Sequence, residues 1–160
     1  MKPKYRKAVF IVTYAKEHSL KKNPRQENEN KNKIYYLILK RKLHWKGWEF
    51  PKGGISFFET KKHAVKRELK EETGLKPLFI KKFDVHGKYK YNKGYKDRPG
   101  IIGQTYYLYA VKVKKQKIKL DKKEHSDYRW LNFKEAHQKL TWKNQKECLK
   151  VVNSINNKNL

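Results

Sequence analysis

A run of acidic residues ahead of Gly74 is the feature that most constrains what this chain can fold into. Residues 60–72 have helical spacing without a helix breaker, and Gly74 stands where a left-handed cap would end the helix. On that helix Glu68 lies beside both Glu71 and Glu72, because positions three and four apart share a face. Three carboxylates on one stripe repel one another unless a cation neutralises them, so the pattern indicates a cation site.

The residues around this helix support the same interpretation. Arg67 and Glu71 are four positions apart and can pair, which would fix one of the carboxylates. Gly53 and Gly54 allow the backbone of the preceding loop to approach the helix closely. Mg²⁺ takes carboxylate oxygens, waters and substrate phosphates as ligands. A site for phosphate chemistry is therefore one interpretation, and a solvated helix with ion pairs is the other.

The complete spacing favours the first interpretation. The segment from Gly53 to Leu75 resembles the full signature of the Nudix hydrolase family. In it, five residues separate Gly53 from Glu59, and seven more separate Glu59 from the run that begins at Arg67. Many members have glycine immediately before the first glutamate, where this chain has Phe58. The resemblance implies an α/β fold, the Nudix α/β/α sandwich with a mixed sheet and a loop-helix catalytic motif. It also implies hydrolysis of a nucleoside diphosphate linked to another group, with Mg²⁺ or Mn²⁺ as cofactor.

The same resemblance assigns roles within the motif. Arg67 and Glu59 would hold the loop and the helix together. Glu68 and Glu71 would be catalytic, with Glu68 the first choice for the general base. The metal ligands it implies are the Gly53 carbonyl, Glu68, Glu71 and Glu72.

Two further segments resemble dinucleoside tetraphosphate hydrolases and RNA 5′-pyrophosphohydrolases. They are residues 48–54 and residues 124–131, and in those enzymes a glutamate six positions before the second segment's tryptophan is a metal ligand. That position is Glu124 here, and an ordinary loop glutamate is the alternative. Residues 140–145 resemble the closing helix of dinucleoside tetraphosphatases.

Substrate contacts are expected from residues that resemble the same enzymes and from a basic, tyrosine-rich loop at 86–98. Tyrosine rings can stack on a base, at about 1–3 kcal/mol each, while neighbouring cations contact phosphates. The expected substrate-binding residues are Arg6, Lys52, Tyr89, Tyr91, Arg98 and Gln104.

The rest of the chain predicts a single domain over residues 1–160, with a flexible loop at 16–33. Strands are expected at 8–15, 34–39, 77–85, 101–113 and 128–131, and helices at 60–72, 133–140 and 142–155. The first two strands should pair as a hairpin. We expect a cytoplasmic protein without a membrane partner, because no apolar run approaches the ~20 residues of a membrane span and Cys148 is the sole cysteine.

A net charge of +27 favours anionic partners, and RNA is one of them. Abundant lysine throughout the source proteome would explain the charge equally well. The leading functional expectation is hydrolysis of a bis(5′-nucleosyl) tetraphosphate such as diadenosine tetraphosphate. The first alternative is an RNA 5′-pyrophosphohydrolase or decapping enzyme. A non-catalytic RNA-binding Nudix-like module is the third, and its self-repelling carboxylates argue against it.

Overall fold

The computed structural model describes residues 2–17 and 33–158 of the chain. Most of the loop predicted at 16–33 lies outside these residues, but Lys16 continues the first strand and Lys33 begins the second. The elements follow in the order β1 (Lys4–Glu17), β2 (Lys33–Arg41), β3 (Gly47–Glu49), β4 (Lys52–Gly54), α1 (Lys61–Thr73), β5 (Phe79–Lys90), β6 (Ile101–Lys112), β7 (His125–Leu131), α2 (Phe133–Lys139) and α3 (Lys143–Lys158).

The strands form one mixed sheet in the order β3-β2-β1-β6-β5, with β4 paired to β1 and β7 paired to β2. Strand β1 runs parallel to β6, and the other pairings within the described residues are antiparallel. The predicted hairpin of β1 and β2 is confirmed, with Tyr14 opposite Tyr36. Residues 8–15 are buried throughout, as expected of a central strand covered on both faces.

Helices cover both faces of the sheet, which confirms the predicted α/β/α sandwich. On one face α2 and α3 contribute Ala136, Cys148 and Leu149 to a core that also contains Phe10 and Tyr36. On the opposite face α1 packs Ala64, Val65 and Leu69 against residues that include Val9 and Ile11. In the described part of the chain, no helix has the length and apolar character that crossing a membrane requires.

Helix α1 begins and ends as its sequence predicts. The Thr60 side chain accepts a hydrogen bond from the backbone N–H of His63, which satisfies one of the free donors of the first turn. Gly74 has φ of 73° and donates its backbone N–H to the Lys70 carbonyl. The predicted left-handed cap is therefore present, and the carboxylates lie on a helix of defined length.

The predicted loop at 86–98 is shorter in the structure. Residues 86–90 belong to β5, which continues five residues beyond the predicted end at Val85 and pairs with β6 as far as Lys90. Its side chains alternate between half-buried and exposed, because β5 is an edge strand with one packed face and one solvated face. Of the tyrosines that were expected on this loop, Tyr89 therefore lies on a strand, and Tyr91 and Tyr95 follow it.

Candidate active site

Strand β4 and helix α1 bring the first carboxylate into place. Glu68 lies against the backbone of Gly53, and a Cβ atom at that glycine would overlap the Glu68 carboxylate. Glycine is needed there because the helix side chain occupies the space that a β4 side chain would fill. Burial raises the pKa of Glu68 above its ordinary value, although hydrogen bonding to Arg67 opposes the shift.

Glu72 lies deeper in the same groove. Its side chain is buried, and one carboxylate oxygen accepts the backbone N–H of Lys52 at 3.2 Å. Burial raises the pKa of Glu72 well above its ordinary value, and the charges of Glu49, Glu68 and Glu124 raise it further. Carboxylates in this arrangement favour a bound cation, since a cation removes both the repulsion and the desolvation penalty.

The third carboxylate comes from the segment that precedes β7. Glu72, Glu124 and His125 each place a potential ligand atom within 4.8 Å of the other two. With Glu68 they supply three carboxylates, and hard divalent cations such as Mg²⁺ and Mn²⁺ prefer oxygen donors. The residues present therefore fit a divalent metal site. Glu71 is 57% exposed on the outer side of α1 and contacts Arg67.

Arg67 joins the loop to the helix. Its Nε and Nη2 atoms donate to the Glu59 carboxylate, each at 2.8 Å, and Nη2 also donates to the Gly54 carbonyl at 2.8 Å. Its Nη1 atom reaches Glu68 at 2.7 Å and Glu71 at 3.2 Å. The hydrogen bonds from Arg67 hold the pKa of Glu59 well below its ordinary value. This is the bracing arrangement that the family resemblance implies.

Beneath the carboxylates is a buried charge network that the sequence does not reveal. Glu49 is fully buried, and its oxygens lie 3.3 Å from Arg41 Nη1, 3.3 Å from Lys52 Nζ and 3.1 Å from His125 Nε2. Burial alone would raise the pKa of Glu49, but Lys52, His125 and Arg41 together lower it. Arg41 also reaches the Glu124 carboxylate at 2.6 Å. The network therefore anchors Glu124 from below.

The site residues expected from the sequence include none of Arg41, Glu49 and His125. The signals for them are weak, because β3 has three residues and its pairing with β2 sets which way Glu49 points. His125 is fully buried at the start of β7, a strand whose predicted start was Tyr128. The one local sign of the network is Glu49 itself, a charged residue in a short segment that is otherwise apolar and contains a tryptophan.

Next to the carboxylates is a pocket of about 330 Å³ with aromatic walls. The rings of Tyr91 and Tyr95 form one wall, with their centroids 5.2 Å apart. Trp45 and Trp142 form another, with centroids 5.1 Å apart and the rings edge to face. Lys52 lines the pocket and also pairs with Glu49, so the pocket and the charged network adjoin.

The structure brings the expected substrate-binding residues together. Five of them line the pocket: Lys52, Tyr89, Tyr91, Arg98 and Gln104. Within that set Tyr91 donates its hydroxyl to Gln104 at 3.1 Å, and Arg98 lies 3.5 Å from the same hydroxyl. Arg6 lies over Gly54 on the side of the carboxylates, where burial and the charge of Arg98 lower the pKa of its guanidinium. The expected contacts thus lie along a single groove.

Comparison with known proteins identifies the family to which the chain belongs. The NUDIX domain family model matches residues 4–152. An RNA pyrophosphohydrolase of Nitratiruptor sp. is 35% identical over 115 residues, covering 69% of this chain and 74% of that protein. One from Legionella pneumophila is 34% identical over 107 residues, covering 58% of this chain and 59% of that protein, which is under two thirds of its length.

Solved structures share the fold. A NUDIX hydrolase from Listeria monocytogenes superposes with a TM-score of 0.72 at 22% identity, covering 95% of this chain and 94% of that one. An Ap4A hydrolase of C. elegans gives a TM-score of 0.68 at 20% identity, covering 94% and 96%. With its fold, its complete motif and these matches, the chain belongs to the Nudix hydrolase family. Within that family it is a pyrophosphohydrolase.

Proposed function

We propose that the chain hydrolyses the 5′-triphosphate end of RNA with the help of Mg²⁺ or Mn²⁺. The observation that carries this proposal is the shared wall between the aromatic pocket and the carboxylate groove, formed by Lys52. Its side chain lines the pocket while its backbone N–H holds Glu72. A base stacked in the pocket would extend its phosphates past Lys52 toward the carboxylates.

Each group in the groove then has a defined task. Glu68, Glu72 and Glu124 hold the metal, with Glu71 and the Gly53 carbonyl as further candidate ligands. When bound, the metal polarises a phosphoryl oxygen and makes a water more acidic. Glu68 is the first candidate to accept a proton, because its carboxylate lies against the Gly53 backbone beside the other carboxylates of the groove.

The remaining groups position the substrate. Arg6 and Arg98 carry positive charge into the groove and offer guanidinium donors to phosphate oxygens. Tyr89, Tyr91 and Gln104 orient the nucleotide. Glu71 is open to solvent and is the second candidate for the base.

Two observations support RNA over a dinucleotide as the proposed substrate, and this ranking is the reverse of the one expected from the sequence. The relatives at 34–35% identity described above are RNA pyrophosphohydrolases. The net charge of +27 also suits a polymer, because a polyanion releases more counterions on binding than a dinucleotide does. A cytoplasmic location, where RNA 5′ ends are accessible, belongs to the same proposal.

A bis(5′-nucleosyl) tetraphosphate remains the second candidate. The segment that resembles dinucleoside tetraphosphatases includes Trp142, which lies beside Trp45 in one wall of the pocket. Such a pair suits the purine of a dinucleotide as well as that of an RNA end.

The test is a parallel assay with Mg²⁺ on a short 5′-triphosphorylated RNA and on diadenosine tetraphosphate at equal concentration. We expect pyrophosphate release from the RNA to be the faster reaction. Glu72→Gln should lower turnover by more than about 100-fold, because outer-shell partners of a metal already contribute about 10–100-fold. Glu147→Gln makes the same change at an exposed glutamate on α3 and should leave turnover unchanged.

Two results would contradict the proposal. Rapid cleavage of the dinucleotide with intact RNA would establish the second candidate. Undiminished turnover in Glu72→Gln would refute the metal site itself.

A further inference from the structure

The side of the sheet that α1 covers in part also has a surface of basic and aromatic residues outside the aromatic pocket. Strands β1, β6 and β5 lie side by side there, and residues directly opposite one another share a face. Three rows cross the strands: Tyr5–Gly103–Lys90, Lys7–Thr105–Lys88 and Val9–Tyr107–His86. Helix α1 packs over Val9, whereas Lys7, Lys88 and Lys90 are exposed. We call Tyr5, Lys7, Lys61, Lys88, Thr105 and Tyr107 the open face.

Two tyrosines on the open face each carry a lysine over the ring. Lys61 Nζ lies 4.1 Å from the centroid of Tyr107, and Lys88 Nζ lies 4.7 Å from that of Tyr5. Gly103 allows the Tyr5 ring to lie close over β6, since a Cβ there would come within 2.7 Å of the ring. Half-buried rings held against a sheet surface are suited to stacking with flat groups.

The charges of the open face are free for a ligand. Within the described residues, lysine ion pairs involve Lys52, Lys115 and Lys150, and none of these belongs to the open face. A cluster of lysines without carboxylate partners attracts polyanions. Combined with two half-buried tyrosine rings, it resembles the surface that binds single-stranded nucleic acid, where bases stack and cations contact phosphates.

The open face and the active-site pocket lie on opposite sides of the sheet, because Phe10 and Tyr89 of the pocket belong to the side covered by α2 and α3, and the two surfaces meet at the end of β5. Lys90 lines that pocket and stands in the same row as Tyr5. We propose that the open face binds the single-stranded RNA segment that follows the 5′ end while that end occupies the pocket. The inference rests on the proposed function, and it adds a second contact area that a dinucleotide is too short to use.

The test measures binding separately from hydrolysis. A fluorescent single-stranded RNA with a 5′-hydroxyl end is titrated with the full chain in EDTA, and affinity is read by anisotropy. Tyr5→Leu and Tyr107→Leu should each weaken binding about 5-fold or more, the lower end of what one base–ring stack contributes. Lys7→Gln combined with Lys88→Gln should weaken it about 10-fold at low salt.

The matched control removes the same charge elsewhere. Lys134→Gln combined with Lys158→Gln changes two exposed lysines on α2 and α3, at the other face of the sheet. It should change RNA affinity by less than about 2-fold. Thermal denaturation of each variant establishes that the fold is kept.

The outcomes separate this inference from the proposed function. An equal loss in the control pair and the Lys7/Lys88 pair would mean diffuse attraction, and would overturn the inference. So would wild-type affinity in both tyrosine variants, or equally tight binding of an RNA duplex. If the open-face variants lose RNA affinity but the wild type fails to hydrolyse triphosphorylated RNA, RNA binding by the open face is supported and the proposed substrate is refuted.

Discussion

Glu72 is buried among other carboxylates, and this position makes the stability of the metal-free protein depend on pH. Its folded pKa lies well above the unfolded value of about 4.3. Below about pH 4, Glu72 is protonated in both the folded and the unfolded protein, and its burial does not lower the free energy of unfolding through ionisation. As pH rises further the unfolded state ionises first, so stability falls until the folded pKa is passed.

We therefore expect Glu72→Gln to flatten this dependence. In EDTA, the melting temperature of the wild type should fall more between about pH 5 and about pH 8 than that of the variant. Adding Mg²⁺ or Mn²⁺ near pH 8 should raise the wild-type value and leave the variant nearly unchanged. Parallel melting curves with pH, or equal metal-induced shifts, would contradict this account of Glu72.

Phe58 occupies the position before Glu59 where the family often has glycine, and its φ of 65° explains that preference. A non-glycine residue in the left-handed region costs roughly 1–2 kcal/mol. The ring is 95% exposed, so little burial offsets the strain. Phe58→Gly should raise the free energy of unfolding by up to about 1 kcal/mol, after the entropy cost of glycine.

Phe57→Gly is the matched control for that change. Phe57 is 87% exposed, its ring contacts the Phe58 ring edge to face, and it has no positive φ. Its replacement loses the same ring contact and gains no relief of strain, so stability should fall. Chemical denaturation measures the free energy of unfolding of both variants. Equal decreases in the two would show that the Phe58 backbone is not strained.

At the residue scale, the positions of Glu68 and Glu72 on one helix face could be predicted from the sequence, but the buried residues beneath them could not. Glu68 and Glu72 follow from helical spacing, which is local. The Glu49–His125 contact joins positions 76 residues apart and depends on how β3 and β7 flank β2. Local patterns carry no information on that arrangement, so the buried network emerges only from the fold.

Among the elements, the contact between β4 and α1 is the one on which the site depends. Gly53→Ala would force the Glu68 carboxylate out of its place, and the cost in stability should be small because the displaced atoms are the end of a flexible side chain. We expect a loss of activity of about 100-fold or more with a nearly unchanged melting temperature.

Gly54→Ala provides the comparison on the neighbouring residue. The added methyl group would meet the flexible guanidinium of Arg6 instead of a carboxylate. Its effect should be mainly a raised KM for substrate, with kcat less affected. Similar losses of kcat in both variants would show that the loop as a whole, and not the Glu68 position, had been disturbed.

Strand β5 illustrates why element ends were harder to predict than element types. The pairing with β6 shifts register between Lys82 and His86, and Gly87 follows directly. Both features weaken the local strand pattern, so the sequence predicts a strand that ends at Val85. Pairing with a long neighbour overrides that local weakness, because strand formation depends strongly on context.

For the whole molecule, the charge of +27 predicts a difference in salt dependence between the two candidate substrates. Each phosphate contact with a single strand contributes about −0.7 to the slope of log affinity against log salt. The slope of log kcat/KM should therefore be steeper for triphosphorylated RNA than for diadenosine tetraphosphate. Initial rates across a series of KCl concentrations test this, and equal slopes would mean that the lysines outside the pocket take no part.

The parallel pairing of β1 with β6 has a consequence for how the protein is made. Arg6 and Thr105 are hydrogen-bonded although 99 residues separate them in the chain. On the ribosome, β1 therefore emerges long before its parallel neighbour and keeps an unpaired, apolar edge during that interval. We expect the emerging chain to be most prone to aggregation in this window, and chaperones that shield the first hairpin to raise the yield of folded enzyme.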